Sequence, residues 1–260
     1  MSIFRLLGIY LCFGLGFQMY AQTSHTENLK HLDKLLSDKN FVEANKVLKK
    51  SISELEDKNS YFLLTDYIYY TGKIQLQLQN PSKATSEVTQ FIKTITSSTD
   101  SLKVWRQAQL ELSTFYELLG DSQKAYDANL EALKLTSKWK DATPEDFGLI
   151  ENNLGTLSAR KGDLATGVAH HRKALGYYES YPKTDKTRLY VVYNSLGGSM
   201  WYLSKIDSSL YYFEKAEKTL KELEPDPMNS FYRPATINNN IAAIYSTQGS
   251  LDEALEAMRK

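Results

Sequence analysis

The sequence predicts an all-α chain of stacked helix pairs, and three observations carry that expectation. A small residue returns on one helical face at Ala44, Ala84, Ala125, Gly167, Ser209 and Ala254, in steps of 40, 41, 42, 42 and 45 residues. A near-fixed period of this kind marks repeated supersecondary units that bury their cores against one another. Glycine (13) and proline (6) are scarce in 260 residues, and few breakers among many alanines and leucines favour helix. No long stretch alternates apolar and polar side chains as a half-buried strand would.

The first 21 residues stand apart from the repeats. A singly basic start, Met1 to Arg5, is followed by an apolar run from Leu6 to Phe17, and Met19-Tyr20-Ala21-Gln22 offers a cleavage site after Ala21. That is the layout of a secretory signal peptide; a transmembrane helix needs about 20 apolar residues. Cys12, the one cysteine, lies inside this segment and follows Ile9-Tyr10-Leu11 rather than the small residues of a lipoprotein signal. The expected organisation is a signal peptide over 1–21 and a repeat array over 22–260, in an exported protein of the periplasm or the extracellular side of a bacterial envelope. The mature chain would then hold no cysteine, which excludes disulfides, thiol nucleophiles and thiolate metal sites. Membrane association is expected only through an uncleaved signal segment or a missing C-terminal region.

Repeat one is the least regular, because Leu32 stands where later first helices carry Gly72, Ser113, Gly155, Gly197 and Ala242. Apolar Leu112, Leu154, Leu196 and Ile241 precede four of these small residues. A third small series, Ser51, Ala132, Ala174 and Ala216, is broken only by Phe91. Without bulk at these places two helices approach closely while larger neighbours fill the space. Repeat two turns at Gln79-Asn80-Pro81, with proline at a first helical position where no amide bond is lost. Repeat three turns at Gly120-Asp121.

Repeat four shows the unit most clearly. Leu149, Ile150, Leu154, Gly155 and Leu157 mark its first helix, Lys161-Gly162-Asp163 its turn, and Leu164, Val168, His171, Ala174, Leu175 and Tyr178 its second helix. Gly162 suits a left-handed helix ending and Asp163 caps the next helix. Repeat five follows through Gly197, Ser204, Ser209 and Ala216, and repeat six turns at Gly249-Ser250. The last apolar face, with Leu255 and Met258, has no polar capping helix after it. The sixth repeat is therefore expected to be incomplete and the chain a truncated part of a larger protein. Between repeats, Thr143 caps a helix that Pro144 opens with Glu145 and Asp146 in its first turn. The segments 180–185 and 224–227 do the same work later.

In these residues the chain resembles the tetratricopeptide repeat family. The correspondence runs Gly155…Gly162…Gly167…Ala174 in repeat four, Gly197…Ser204…Ser209…Ala216 in repeat five, Tyr116…Gly120…Ala125…Ala132 in repeat three and Ala242-x-x-Tyr245…Gly249…Ala254 in repeat six. It covers about residues 25 to 260. The usual unit is about 34 residues long, so the longer period here implies longer helices, as in kinesin light chains and many bacterial regulators. The resemblance implies a right-handed superhelical solenoid of antiparallel helix pairs whose first helices line a concave groove.

The same resemblance assigns Asn152, Asn153, Asn194, Ser195, Asn239 and Asn240 to equivalent groove positions in repeats four to six. Each asparagine offers a carbonyl and an amide, so it can pair with both halves of a peptide backbone; equally, these side chains can bond to one another and to neighbouring helices. Arg160, Trp201, Tyr202, Tyr69 and Tyr70 follow on the same face and suit a carboxylate or an apolar side chain. Gln107 and Glu111 replace the basic set that a carboxylate clamp would need. His170 and His171 point about 100° apart on a helix and share one ion poorly; His171 takes the place of a large core residue.

No nucleophile elbow, phosphate loop or zinc-helix motif is present, so neither enzyme activity nor a cofactor or metal is expected. Lys+Arg and Asp+Glu balance at 31 each, leaving no overall field to draw nucleic acid or an anionic membrane. The expected function is a non-enzymatic, exported scaffold that binds a protein or peptide in its groove. The alternative is the extracytoplasmic sensory part of a truncated bacterial signalling protein, a sensor histidine kinase or a helix-turn-helix regulator.

Overall fold

The computed structural model describes residues 24–57, 60–79 and 81–259. The signal-peptide segment, Cys12 and Asn80 lie outside the described residues. Among the described residues the secondary structure is helical throughout, and the six expected pairs are present in order. Helix α1 spans 24–37 and α2 spans Phe41–Asp57. The first helix of repeat two is broken into α3 (Tyr61–Leu64) and α4 (Tyr67–Leu78), followed by α5 (Pro81–Ser97). Then come α6 (Leu102–Leu118), α7 (Ser122–Lys138), α8 (Pro144–Arg160), α9 (Leu164–Ser180), α10 (Lys186–Tyr202) and α11 (Ile206–Leu220). A π-helical turn, Met228–Tyr232, precedes α12 (Arg233–Thr247) and α13 (Leu251–Arg259).

The turn chemistry follows the sequence closely. Gly120, Gly162 and Gly249 adopt left-handed φ values of 77°, 87° and 79°, while Lys39 and Ser204 hold a φ of 57° at the matching turns of repeats one and five. A side chain in that region costs roughly 1–2 kcal/mol. The Thr143 main-chain N–H donates to Asp146 Oδ2 at 2.8 Å and the Asp146 N–H to Thr143 Oγ1 at 3.4 Å, a reciprocal cap on α8. Asp163 accepts from the Thr166 N–H at 3.1 Å and Asp185 from the Thr187 N–H at 2.8 Å. The segment 224–227 behaves differently. Pro234 has no N–H to close an ordinary turn onto the carbonyl four residues back, and the Arg233 N–H reaches the Met228 carbonyl instead, which widens the entry to α12.

The described residues fall into two compact units, divided between Ala128 and Asn129 inside α7. In the first unit a single apolar cluster runs through Leu32, Leu48, Leu64, Tyr67, Ile68, Ile74, Val88, Ile95 and Phe115. A Cβ at Gly72 would stand 2.0 Å from the Phe115 ring, so the bare backbone of α4 is what lets that ring pack against it. The break between α3 and α4 was not foreseen in the sequence. Thr65 Oγ1 turns back to the Phe62 carbonyl at 2.7 Å, and Asp66 accepts from His25 Nε2 at 2.8 Å. His25, only 5% exposed, thereby fastens α1 to the break.

In the second unit α8 packs on α9, α10 on α11 and α12 on α13. The small residues do what their spacing predicts. A Cβ at Gly155 would lie 2.4 Å from the His171 ring, and one at Gly197 would lie 2.7 Å from the Phe213 ring. His171 and Phe213 are therefore the same core position in successive repeats, 1% and 0% exposed. Ser209 Oγ donates to the Gly197 carbonyl at 2.7 Å where α11 crosses α10. Val168, Ala174 and Tyr178 join Val192, Leu196 and Met200 in one cluster; Tyr190, Phe213, Leu220, Ile237 and Ile244 form another. On α13 the buried residues are Ala254 and Ala257, while Leu251, Leu255 and Met258 are 64%, 51% and 65% exposed.

Candidate functional site

The second unit contains a cavity of about 590 Å³ formed by the ends of α8 and α10, the start and middle of α9, and one residue of α12. Thr156, Ala159 and Arg160 come from α8, Leu164 and His171 from α9, and Asn240 from α12. From α10 come Asn194, Ser195, Gly198, Ser199, Trp201 and Tyr202. These residues meet because the 3.6-residue turn brings 194, 198, 201 and 202 onto one stripe of α10. Gly162, at the left-handed turn after α8, completes the rim.

The lining is largely apolar, with polar groups at discrete places. The Trp201 and Tyr202 rings lie 5.3 Å apart with a tilt of 31°, and Tyr202 is 71% exposed. Arg160 is the one lining residue that carries a charge at neutral pH. Burial, reinforced by neighbouring His170, pushes the His171 imidazole down to about 4, so the ring is neutral. Thr156 Oγ1 donates to the Asn152 carbonyl at 3.1 Å and lies 3.5 Å from His171 Nε2.

Five of the eight side chains singled out in the sequence line this cavity: Asn194, Asn240, Arg160, Trp201 and Tyr202. The other three lie elsewhere. Asn152 is 9% exposed, and Asn153 donates to Asn129 Oδ1 at 3.3 Å, an internal link between α8 and α7. Asn239 is exposed on α12 outside the cavity. His170 does not pair with His171. Its Nδ1 lies 2.6 Å from Glu151 Oε2, and among the described residues no group of three His, Cys, Asp or Glu is arranged to hold a metal.

In the first unit the aromatic and amide residues of the same helical face are tied down internally. The Tyr70 hydroxyl donates to Asp33 Oδ1 at 2.8 Å, and Gln107 Nε2 donates to Glu111 Oε1 at 2.7 Å. Burial, opposed by that amide and aided by Asp66, raises the Glu111 carboxyl to about 7. Sequence reasoning missed the part played by Gly198. The available signal was the doublet Gly197-Gly198, of which the repeat register accounts for only the first.

Helix pairs with small residues at each crossing, left-handed glycine turns and a site on the first helices define a helical-repeat protein with the tetratricopeptide fold. No family model matches the chain, and no curated protein matches it. Solved structures do. A signal-transduction ATPase with a tetratricopeptide repeat sensor from Pyrococcus horikoshii aligns with a TM-score of 0.62 at 18% identity, over 89% of this chain and 35% of that one. BtubC from P. vanneervenii aligns at 0.60 and 13%, over 91% and 86%. A protein of kinesin light chain-like repeats from Podosopora anserina aligns at 0.56 and 16%, over 80% and 93%. At these identities the likeness is one of fold.

Proposed function

We propose that the chain is a non-enzymatic scaffold that binds an extended peptide segment of a partner protein on the first-helix face of its second unit. The observation that carries this reading is the convergence of Asn194, Asn240, Arg160, Trp201 and Tyr202 on one cavity. A pocket of a few hundred Å³ with mostly apolar walls and a few convergent polar groups is the usual form of a ligand site. Asn194 and Asn240 supply donor and acceptor for a peptide main chain, the two aromatic rings accept an apolar side chain, and Arg160 attracts a carboxylate. Export through the segment 1–21 belongs to the same proposal, with the mature chain starting at Gln22. Sequencing the N-terminus of protein recovered from the envelope tests that part.

The binding reading is tested by fluorescence anisotropy against a randomised pentapeptide library. Asn194→Ala and Asn240→Ala are expected to weaken the bound fraction with little change in melting temperature. Equal losses of melting temperature and binding in both variants would assign the asparagines to internal bonding instead. A second reading, the sensory part of a signalling protein, is favoured by one observation. The ATPase above, whose repeats serve as a sensor, shares this fold over 89% of the present chain.

A further inference from the structure

Gln75 is an amide where an apolar side chain would serve packing better. It stands three residues after Gly72 on α4, the place that Met200 takes after Gly197 in repeat five. The two are 3% and 1% exposed. Gln75 Nε2 donates to Asn45 Oδ1 at 3.3 Å. Its Oε1 is buried and accepts from no group among the described residues. A buried acceptor left unpaired lowers stability, whereas an apolar side chain of the same shape would not. The amide therefore calls for a reason beyond the core.

Gln75 lines a cavity of about 270 Å³ within the first unit. Helices α2 and α5 both pack on α4, and the cavity draws its lining from all three. Leu48 and Ile52 of α2 and Phe91 of α5 supply apolar wall, with Thr71 beside Gln75 on α4. Phe91 is the residue that interrupts the small series Ser51, Ala132, Ala174 and Ala216, so this wall is bulk placed where the other repeats have little. The volume is below the usual range for a drug-sized ligand and suits one side chain.

The lining also says which side chain. The Thr71 hydroxyl already donates to the Tyr67 carbonyl at 2.8 Å, and the unmet demand at Gln75 is for a donor. Lys49 and Glu87 bring one charge of each sign to the lining, and Glu87 Oε1 lies 4.0 Å from Lys83 Nζ, so no formal charge is asked of the ligand. An apolar body with one N–H and no acceptor is the indole of tryptophan. A phenylalanine ring lacks the donor, and a tyrosine hydroxyl brings an acceptor with it. Buried indoles usually find such a partner, and tryptophan is a preferred anchor in desolvated pockets at interfaces. We propose that this cavity holds one tryptophan side chain of a partner protein, with its indole N–H donating to Gln75 Oε1. The site draws only on the first unit and does not depend on the peptide-binding reading above.

Nuclear magnetic resonance of the full chain, labelled in its leucine and isoleucine methyls and its side-chain amides, reads the site directly. The probes are the blocked peptide Gly-Ser-Trp-Ser-Gly, the same with 3-benzothienylalanine for Trp, which puts sulfur in place of the indole N–H, and the same with Ala. The Trp probe is expected to shift the Leu48 and Ile52 methyls and the Gln75 side-chain amide. The sulfur probe is expected to bind about fivefold more weakly or worse, the order of one unpaired buried acceptor, and the Ala probe to leave these signals in place. Gln75→Met is expected to melt no lower than wild type and to bind the two aromatic probes alike, an outcome that a merely structural amide would not give. Gln75→Leu takes its place if the methionine variant does not fold.

Equal binding of the indole and sulfur probes by the wild-type chain would overturn the proposal, as would an equal response to the Ala probe. So would a preference for indole that survives in the folded Gln75 variants. Shifts confined to the cavity of the second unit would remove this site while leaving the peptide-binding reading in place.

Discussion

Gly167→Leu is the perturbation that bears most directly on the repeat register. A Cβ at Gly167 would stand 3.0 Å from the Gly155 carbonyl oxygen and 3.2 Å from both the nitrogen and the Cβ of Ala159. These neighbours are mostly main chain of α8, so they cannot swing aside as a flexible side chain would. The remaining carbons of leucine can be housed only by parting α8 from α9 or by forcing poor rotamers. Overpacking of this kind costs about 1–3 kcal/mol, occasionally more, and a gap of up to about 1 Å between packed faces forfeits a quarter to a half of their dispersion energy. Leucine recovers roughly 0.8 kcal/mol of helix propensity. The net loss is expected to be about 2 kcal/mol, a fall in melting temperature of about 7 °C for a unit of this size.

Two milder variants calibrate the argument. Gly167→Ala is expected to be close to neutral, since its tight contacts and its gain in helix propensity are each about 1 kcal/mol. Gly167→Ser imitates repeat five, where Ser209 Oγ donates to the equivalent carbonyl, that of Gly197, at 2.7 Å; it is expected to match or exceed wild type. Thermal unfolding followed by circular dichroism measures all three. A leucine variant melting within about 2 °C of wild type, or a serine variant as damaged as the leucine one, would refute the register.

Other outcomes follow from particular contacts. The His171 imidazole, held at about 4 against 6.5 for a free ring, makes the unfolded chain the stronger proton binder. Its contribution is complete above pH 6.5 and drains away as pH falls toward 4. Glu111 has the opposite sign: with its carboxyl raised to about 7 from 4.5, its contribution is full below pH 4.5 and lost as pH rises through 7. Urea titrations at several pH values should therefore show that His171→Phe flattens the acid limb and that Glu111→Gln raises stability above neutrality. Asn153→Ala, which removes the bond to Asn129, is expected to cost about 1 kcal/mol without changing binding of the peptide library. Asn240→Ala should do the reverse, as calorimetry and anisotropy on the same samples will show. Ser204→Gly relieves a left-handed side chain and is expected to add about 1 kcal/mol; a drop in melting temperature would contradict that.

The architecture was legible because it is written in periodic, local signals. Six buried small residues, the glycine turns, and the caps at Thr143, Asp163 and Asp185 all lie at the positions the spacing predicts. What escaped the sequence depends on contacts distant along the chain. The break after Leu64 is held by His25, 41 residues away from Asp66, and no window on repeat two contains that partner. The site was half legible for a related reason. Register puts Asn152 and Asn194 at equivalent places, but Asn152 is buried outside the cavity, whereas Asn194 lines it. Equivalent positions share backbone geometry; their chemistry is set by whichever side chain stands opposite.

Helix α13 is held by two alanines, while its leucines and methionine face outward. Alanine contributes little apolar area, so α13 is held less firmly than α12, whose Ile237 and Ile244 belong to the Tyr190–Phe213 cluster. Amide protons between Leu251 and Arg259 would then exchange with deuterium well before those of α10, so that opening within the second unit is graded rather than all at once.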